Sequence, residues 1–295
     1  MSKFLFFLLG FILFLPLLNL LLGLHPLTFK TDVDPSHFGL AYEPVEFTTA
    51  DHLVIRGWFI PASPSAPTPT QKSLKTIPTI VVGHGYPFDK ANILRHVLFL
   101  HQRFHLLLMD FRYFGESEGW ITTVGIREPL DVKAALDYLN QRGDIDTTRI
   151  GAMGFSMSAA IFVLTQDPRI RAIVADSPYA SLAKIVEHQY FFVPRPLNNF
   201  MVNLTGLYAR MLFGLEMDHA SPEKTVHTLE TPLLLIHGED DSQIQTDHSQ
   251  AIFTNANQTH TTLWLIPGAD HGQAHAIAGF HYELRVLDFF TAHLN

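Results

Sequence analysis

The sequence predicts an α/β fold: a mostly parallel central sheet with helices on both faces. From Thr79 onward, short runs that are apolar almost throughout alternate with segments of helical periodicity. Strands with two apolar faces need helices on both sides of the sheet. Ahead of them, two alternating segments joined by a short polar turn add an antiparallel hairpin at one edge.

The elements follow in order. Val45–Thr49 and Leu53–Ile60 are the hairpin strands, linked through Ala50, Asp51 and His52. Ala62 to Lys75, rich in Pro, Ser and Thr, reads as an exposed loop. Thr79–Val82 is an apolar strand, a helix follows near Ala91 to Gln102, and His105–Met109 is the next strand. Pro129 suits a first helical position, and Val132, Ala135, Leu136 and Leu139 recur at helical spacing behind it. Further strands are expected at Ile150–Met153, Ala172–Ala175, Leu233–Ile236 and Thr262–Ile266, with a last helix near His275 to His293. The alternation is broken between Ser177 and Thr231. An insertion there would sit over the carboxyl edge of the sheet, where open α/β folds bind ligands, and it reads as a small helical cap over about 178–231. Within it Phe200, Leu204, Leu207 and Met211 recur at helical spacing, a stripe expected to pack down on the domain. The same stripe could instead form an apolar wall for a ligand, or a surface that touches lipid.

Composition narrows the function classes. With 47% hydrophobic and 16% charged residues the chain is not disordered, and a net charge of -8 argues against nucleic-acid binding. The absence of cysteine excludes disulfides, thiolate metal ligands and cysteine nucleophiles. Phe4 to Leu24 carries no charge and as a helix would span roughly 31 Å, close to the bilayer hydrocarbon thickness. Gly23-Leu24-His25-Pro26 is a poor cleavage site, so residues 1–25 are expected to be an uncleaved transmembrane signal anchor, residues 26–44 a linker, and residues 45–295 the α/β domain with its cap insertion. Lys3 before the segment and Asp32 and Asp34 after it orient a single-pass chain with its body on the extracytoplasmic side. Asn203-Leu204-Thr205 and Asn257-Gln258-Thr259 match glycosylation sequons, relevant only in a eukaryotic secretory host.

The chemistry centres on Gly154-Phe155-Ser156-Met157-Ser158, where a strand ends and a helix of small residues begins. This is the form of a nucleophile elbow, G-x-S-x-G, with Ser158 replacing the last glycine. A serine hydroxyl needs a base within hydrogen-bond reach and a group to orient that base. His237-Gly238-Glu239-Asp240-Asp241 offers an acid after one strand, and Gly268-Ala269-Asp270-His271-Gly272 offers a histidine after the next. Simpler readings exist: Ser156 as a helix N-cap, Ser158 as the nucleophile, and His275 as a rival to His271. With 17 histidines, any one is weak evidence. His84 and His237 read as loop-stabilising, Asp110 and Arg112 as a structural pair, and Glu116 as a solvated loop residue. No H-E-x-x-H occurs, and neither a metal nor another cofactor is expected.

The chain resembles serine hydrolases of the α/β-hydrolase superfamily, in particular the serine aminopeptidase-like and Bem46-like branch of membrane-tethered or secreted hydrolases. The matching segments are His84-Gly85-Tyr86-Pro87, Asp110 to Gly119, the elbow, and Ile236 to Asp241, supported by Asp176-Ser177-Pro178-Tyr179 and Asp270-His271. Each is weak alone, but they occur in family order from about Val45 to the end, with a weaker match at Pro35–Leu40. The resemblance implies Ser156 as nucleophile, Asp241 rather than Asp240 as orienting acid, and His271 as general base. It implies an oxyanion hole from the backbone N–H groups of Tyr86 and Met157. The departure at Ser158 is expected to crowd the close strand–helix contact.

The leading expectation is a membrane-anchored serine hydrolase acting on esters or thioesters of an uncharged acyl substrate, lipids among them. An aminopeptidase or acyl-peptide hydrolase is the alternative, with Glu116, Glu187 or Glu216 anchoring the substrate amine. A non-catalytic binding protein on the same fold is the third reading.

Overall fold

The computed structural model describes residues 2–63 and 75–295, with side chains from residue 10; most of the expected Pro/Ser/Thr-rich loop therefore lies outside the described residues. Helix α1 (Ser2–Leu24) leads to the hairpin β1 (Glu43–Thr48) and β2 (Val54–Ile60). Then come β3 (Thr79–Gly83), α2 (Lys90–Val97), β4 (His105–Met109), α3 (Pro129–Gln141), β5 (Ile150–Phe155), α4 (Met157–Thr165) and β6 (Ile170–Asp176). The insertion holds α5 (Leu182–Gln189), α6 (Arg195–Phe213) and the short α7 (Pro222–Thr225). The chain ends with β7 (Leu233–Gly238), α8 (Thr246–Asn255), β8 (Thr261–Ile266), α9 (Ala274–Ala278) and α10 (Phe280–Leu294).

The eight strands form one sheet in the order β1-β2-β4-β3-β5-β6-β7-β8, with β3 to β8 parallel and β1 and β2 antiparallel. After β3 the chain moves one way to β4 and then returns across β3 to β5. That reversal opens a crevice at the carboxyl ends of β3 and β5, the topological switch point. The loops after these two strands carry Tyr86 and Ser156.

Side-chain alternation explains the two layers. Val81, Leu107, Ala152 and Leu235 face α3, α4 and α8, meeting Leu136, Phe162 and Ile252. Their neighbours Ile80, Leu106, Val174 and Leu234 face α2 and α10, meeting Leu94, Val286 and Phe290. Every residue of helix α4 except Leu164 is buried, which accounts for its mostly apolar sequence.

Several expectations need correction. Among the described residues no helix is long and apolar enough to cross a membrane, which overturns the transmembrane anchor expected over residues 1–25. The carboxyl-terminal half of α1 instead docks on the body: Leu20 and Leu24 are buried against Ile121, Ala209 and Leu215. Its last carbonyls, which lack partners within a helix, find donors elsewhere. Leu24 O accepts from Thr122 N–H at 3.1 Å and Gly23 O from Tyr86 Oη at 3.4 Å. Hydropathy along this segment is uniform, so its docking face is selected by its neighbours.

The stripe on α6 is also not the packed one. Phe200, Leu207 and Met211 are exposed, while Asn198, Met201, Thr205 and Ala209 are buried. Two polar residues lie on the buried face, where donors of Asn198 and the Thr205 hydroxyl find partners while Asn198 Oδ1 has none among the described residues. Asn198 Nδ2 donates to the carbonyls of Glu187 and Tyr190, and the Thr205 hydroxyl bonds Tyr190 Oη and Met201 O. The last helix divides at Gly279, whose φ of 52° ends α9 before α10 starts.

Asp110 and Arg112 do not pair with each other. Asp110 is buried and takes Lys90 Nζ at 2.7 Å, while Arg112 bonds Asp131 and Asp51. Glu116, read as solvated, also reaches Lys90 Nζ. Replacing Lys90 by Met would leave the Asp110 carboxylate buried and short of its countercharge, so unfolding free energy is expected to fall by about 3–5 kcal/mol. A urea titration checks this, and adding Asp110→Asn should restore part of the loss.

Candidate active site

The site is built from the sheet edge outward. Gly83 on β3 and Gly154 on β5 are register partners, side by side at the switch point. A Cβ on Gly154 would lie 2.5 Å from Ala159 N, and one on Gly83 would lie 2.5 Å from Ser158 Cβ. The two glycines therefore let the first turn of α4 press against the sheet. Between β5 and α4, Ser156 is held at φ 55° and ψ -112°, a conformation few non-glycine residues adopt. Its N–H donates to Asp176 O at 2.8 Å, which fixes the bend to β6.

Ser156 sits at the N-cap position, yet its side chain makes no capping bond. The oxygen instead lies 3.1 Å from His271 Nε2. His271 Nδ1 is 2.7 Å from Asp241 Oδ2. The structure thus joins Ser156, His271 and Asp241 in one hydrogen-bonded chain. Asp240 stays exposed outside it, and His275 bonds Glu283 Oε1 at 3.0 Å and stacks on Tyr282.

Asp241 is oriented from four directions. Oδ1 accepts from the N–H groups of Gln243 and Ile244, and Oδ2 accepts from His271 and lies 3.3 Å from His237 Nε2. Burial by itself would raise its pKa, but the His237, His271 and Ile244 donors outweigh it and hold the carboxyl well below the usual carboxylate range. His237 is locked by Ser249 Oγ at Nδ1 and Ile244 O at Nε2. His84 fixes the loop after β3, with Nδ1 donating to Gly85 O and Nε2 accepting from Phe111 N–H.

Three residues with positioning roles were not apparent from sequence patterns. Ser158 does not crowd the elbow: its hydroxyl accepts from Phe155 N–H at 2.9 Å and donates to Phe155 O at 3.0 Å, in the space that Gly83 leaves. Asp270 Oδ1 accepts from the N–H groups of Ser242 and His271, clamping the two loops that carry the acid and the histidine. Phe155 packs its ring 4.9 Å from the His271 imidazole. The glycine at 83 was the available sequence signal for Ser158, but the pairing of two distant strands was needed to read it.

Tyr86 and Met157 line, together with Ser156, a cavity of about 240 Å3. Met157 is the first residue of α4, where an N–H has no partner within the helix. The cavity is largely apolar, with Ile185, Val186, Ala209 and Leu215 from the insertion and its flank, and Leu20 and Leu24 from α1. A second cavity of about 380 Å3 shares Tyr86, Gln243 and His271 with the first and runs toward His96, His275 and Asp176. Among the described residues Asp176 is the one carboxylate lining either cavity, and Ser177 Oγ and Tyr282 Oη donate to its oxygens. Among the described residues no group of three or more His, Asp or Glu is arranged to hold a metal ion. A hydroxyl in this setting can pass its proton to a carboxylate-oriented imidazole and attack a carbonyl presented from either cavity.

The fold and its crevice define a hydrolase of the α/β-hydrolase superfamily. The model of the prolyl oligopeptidase family matches residues 118–295, and the chain belongs to that family. It is 29% identical to the Escherichia coli K12 protein YfhR over 262 residues, covering 86% of this chain and 82% of YfhR. It is 25% identical to the alpha/beta hydrolase domain-containing protein WAV2 of Arabidopsis thaliana, over 76% of this chain and 70% of WAV2. Among solved structures, the Pyrococcus furiosus esterase Pf2001 superposes with a TM-score of 0.72 at 26% identity, covering 92% of this chain and all of that one.

Two outcomes follow from this geometry. Ser158→Ala leaves the part-buried Phe155 N–H without its Ser158 acceptor and should lower unfolding free energy by about 1 kcal/mol, read from denaturant midpoints. Because the Asp241 pKa is depressed on folding, its stabilisation is present above the unfolded value of about 3.9 and fades as pH falls below it. The stability gap between wild type and Asp241→Asn should therefore be widest near neutrality and narrow below about pH 4.

Proposed function

We propose that this hydrolase cleaves carboxyl esters or thioesters of uncharged acyl groups, lipid-derived esters among them, through an acyl-enzyme on Ser156. His271 takes the Ser156 proton as the oxygen attacks, and Asp241 orients the imidazole and balances its charge. The proton then passes to the leaving group, and water releases the acyl group by the same route. The N–H groups of Tyr86 and Met157 would stabilise the oxyanion, a contribution of about 3–4 kcal/mol when one such donor is lost.

The observation that carries this reading is the 3.1 Å and 2.7 Å hydrogen-bonded chain opening on an apolar cavity. The similarity to an esterase supports it. An aminopeptidase would need a carboxylate near the scissile bond to hold the substrate amine. Neither cavity is lined by Glu116, Glu187 or Glu216. Glu116 is engaged by Lys90, Glu216 pairs with Arg210, and Glu187 is exposed. Esters therefore fit better than aminoacyl amides.

A fluorophosphonate probe should label Ser156 in the folded protein, and p-nitrophenyl acyl esters should turn over faster than aminoacyl-naphthylamides. Ser156→Ala should abolish labelling and lower ester turnover by about 10⁶-fold, leaving only residual catalysis from the rest of the site. Ester turnover that survives Ser156→Ala would overturn the assignment.

A further inference from the structure

We infer that α1 is a wall of the acyl site, and that Gly23 sets how deep an aliphatic acyl chain can enter. The inference rests on the ester-hydrolase reading above and names a specificity element within it. Asn19, Leu20, Gly23 and Leu24 line the cavity that holds Ser156. At about 100° per residue these four positions fall on one helical face, with Leu20 and Gly23 at its centre. A Cβ added to Gly23 meets no atom within 4 Å, so a side chain there has room to grow in the cavity's direction. Leu22, on the far side of the helix, is 61% exposed.

The wall is fixed in place. Leu20 and Leu24 are 8% and 5% exposed, and the helix end is fastened by Thr122 N–H on Leu24 O and by Tyr86 Oη on Gly23 O. Just beyond it, Tyr113 Oη donates to Pro26 O at 2.9 Å. Tyr86 therefore ties the wall to the loop that faces Ser156. Leu20, Leu24, Ala209 and Leu215 offer a surface suited to methylene groups and carry no charge for a polar acyl group. Only Asn19, at the rim of this face, adds a polar side chain from α1.

The test uses the full chain, with p-nitrophenyl esters from acetate to dodecanoate. Gly23→Phe fills the centre of the face and, since phenylalanine favours a helix over glycine, it should fold normally with an unchanged thermal midpoint or a slightly higher one. The ratio of its kcat/KM for dodecanoate to that for acetate is expected to fall at least about tenfold against wild type, the scale on which pockets reject added methylenes. Leu22→Phe, on the outer face, should keep the wild-type profile. In parallel, binding of an undecanoate carrying a dansyl group to the Ser156→Ala protein should weaken about tenfold when Gly23→Phe is added. A Gly23→Phe profile parallel to wild type, with probe affinity unchanged, overturns the inference. Wild type that neither turns over esters nor takes the fluorophosphonate label overturns the ester-hydrolase reading instead, and the probe-binding pair then still decides whether α1 walls an acyl cavity.

Discussion

Helix α4 meets the carboxyl edge of the sheet at a distance that only paired glycines permit, and the other parts of the site take their places from that contact. Gly83 and Gly154 lie side by side on β3 and β5, so the first turn of α4 closes onto both strands. The closure forces Ser156 into positive φ and lifts its side chain away from the capping position. Strain of this kind costs roughly 1–3 kcal/mol and persists only where its surroundings over-determine it. Here they do so through the Ser158 hydroxyl on both polar groups of Phe155 and through the Ser156 N–H on Asp176 O.

A second level of order comes from the loops after β7 and β8. Gly238 lets the acid-bearing loop approach Ala269 of the histidine-bearing loop, and Asp270 bridges them by accepting N–H groups from both sides. Asp241 is thereby held by backbone and imidazole donors before any substrate arrives, and Phe155 supports the His271 ring from the elbow itself. Such preorganisation spares the site the cost of ordering charged side chains during reaction.

The floor and the roof of the cavity have different origins. The floor is the switch point of a doubly covered sheet, where Ser156, His271 and Asp241 are joined by hydrogen bonds. The roof joins residues of α1, α5 and α6, segments distant in sequence that meet over Ser156 through apolar contacts and a few carbonyl bonds. A centre of this design can keep its chemistry while the roof changes what reaches it, since apolar walls select by volume and shape.

The alternating apolar runs and the helical repeats were enough to expect the parallel sheet and its two covering layers, because period-two and period-3.6 patterns are written locally. Ser156, Asp241 and His271 could be proposed as a set since each follows a strand in a recognisable turn. What the helices at the roof do was not legible. Residues 1–25 look apolar on every side, and only the neighbouring Ala209, Leu215 and Ile121 decide that Leu20 and Leu24 are the buried ones. On α6 the more hydrophobic stripe faces outward, because Asn198 and Thr205 find hydrogen-bond partners that no periodicity could reveal. The role of Ser158 likewise depends on a glycine far away in sequence on an adjacent strand. Local hydropathy and turn chemistry determine which elements form and in what order. Which faces they bury, and which partners satisfy their polar groups, is decided only when distant segments meet, because burial belongs to pairs of surfaces and not to either sequence alone.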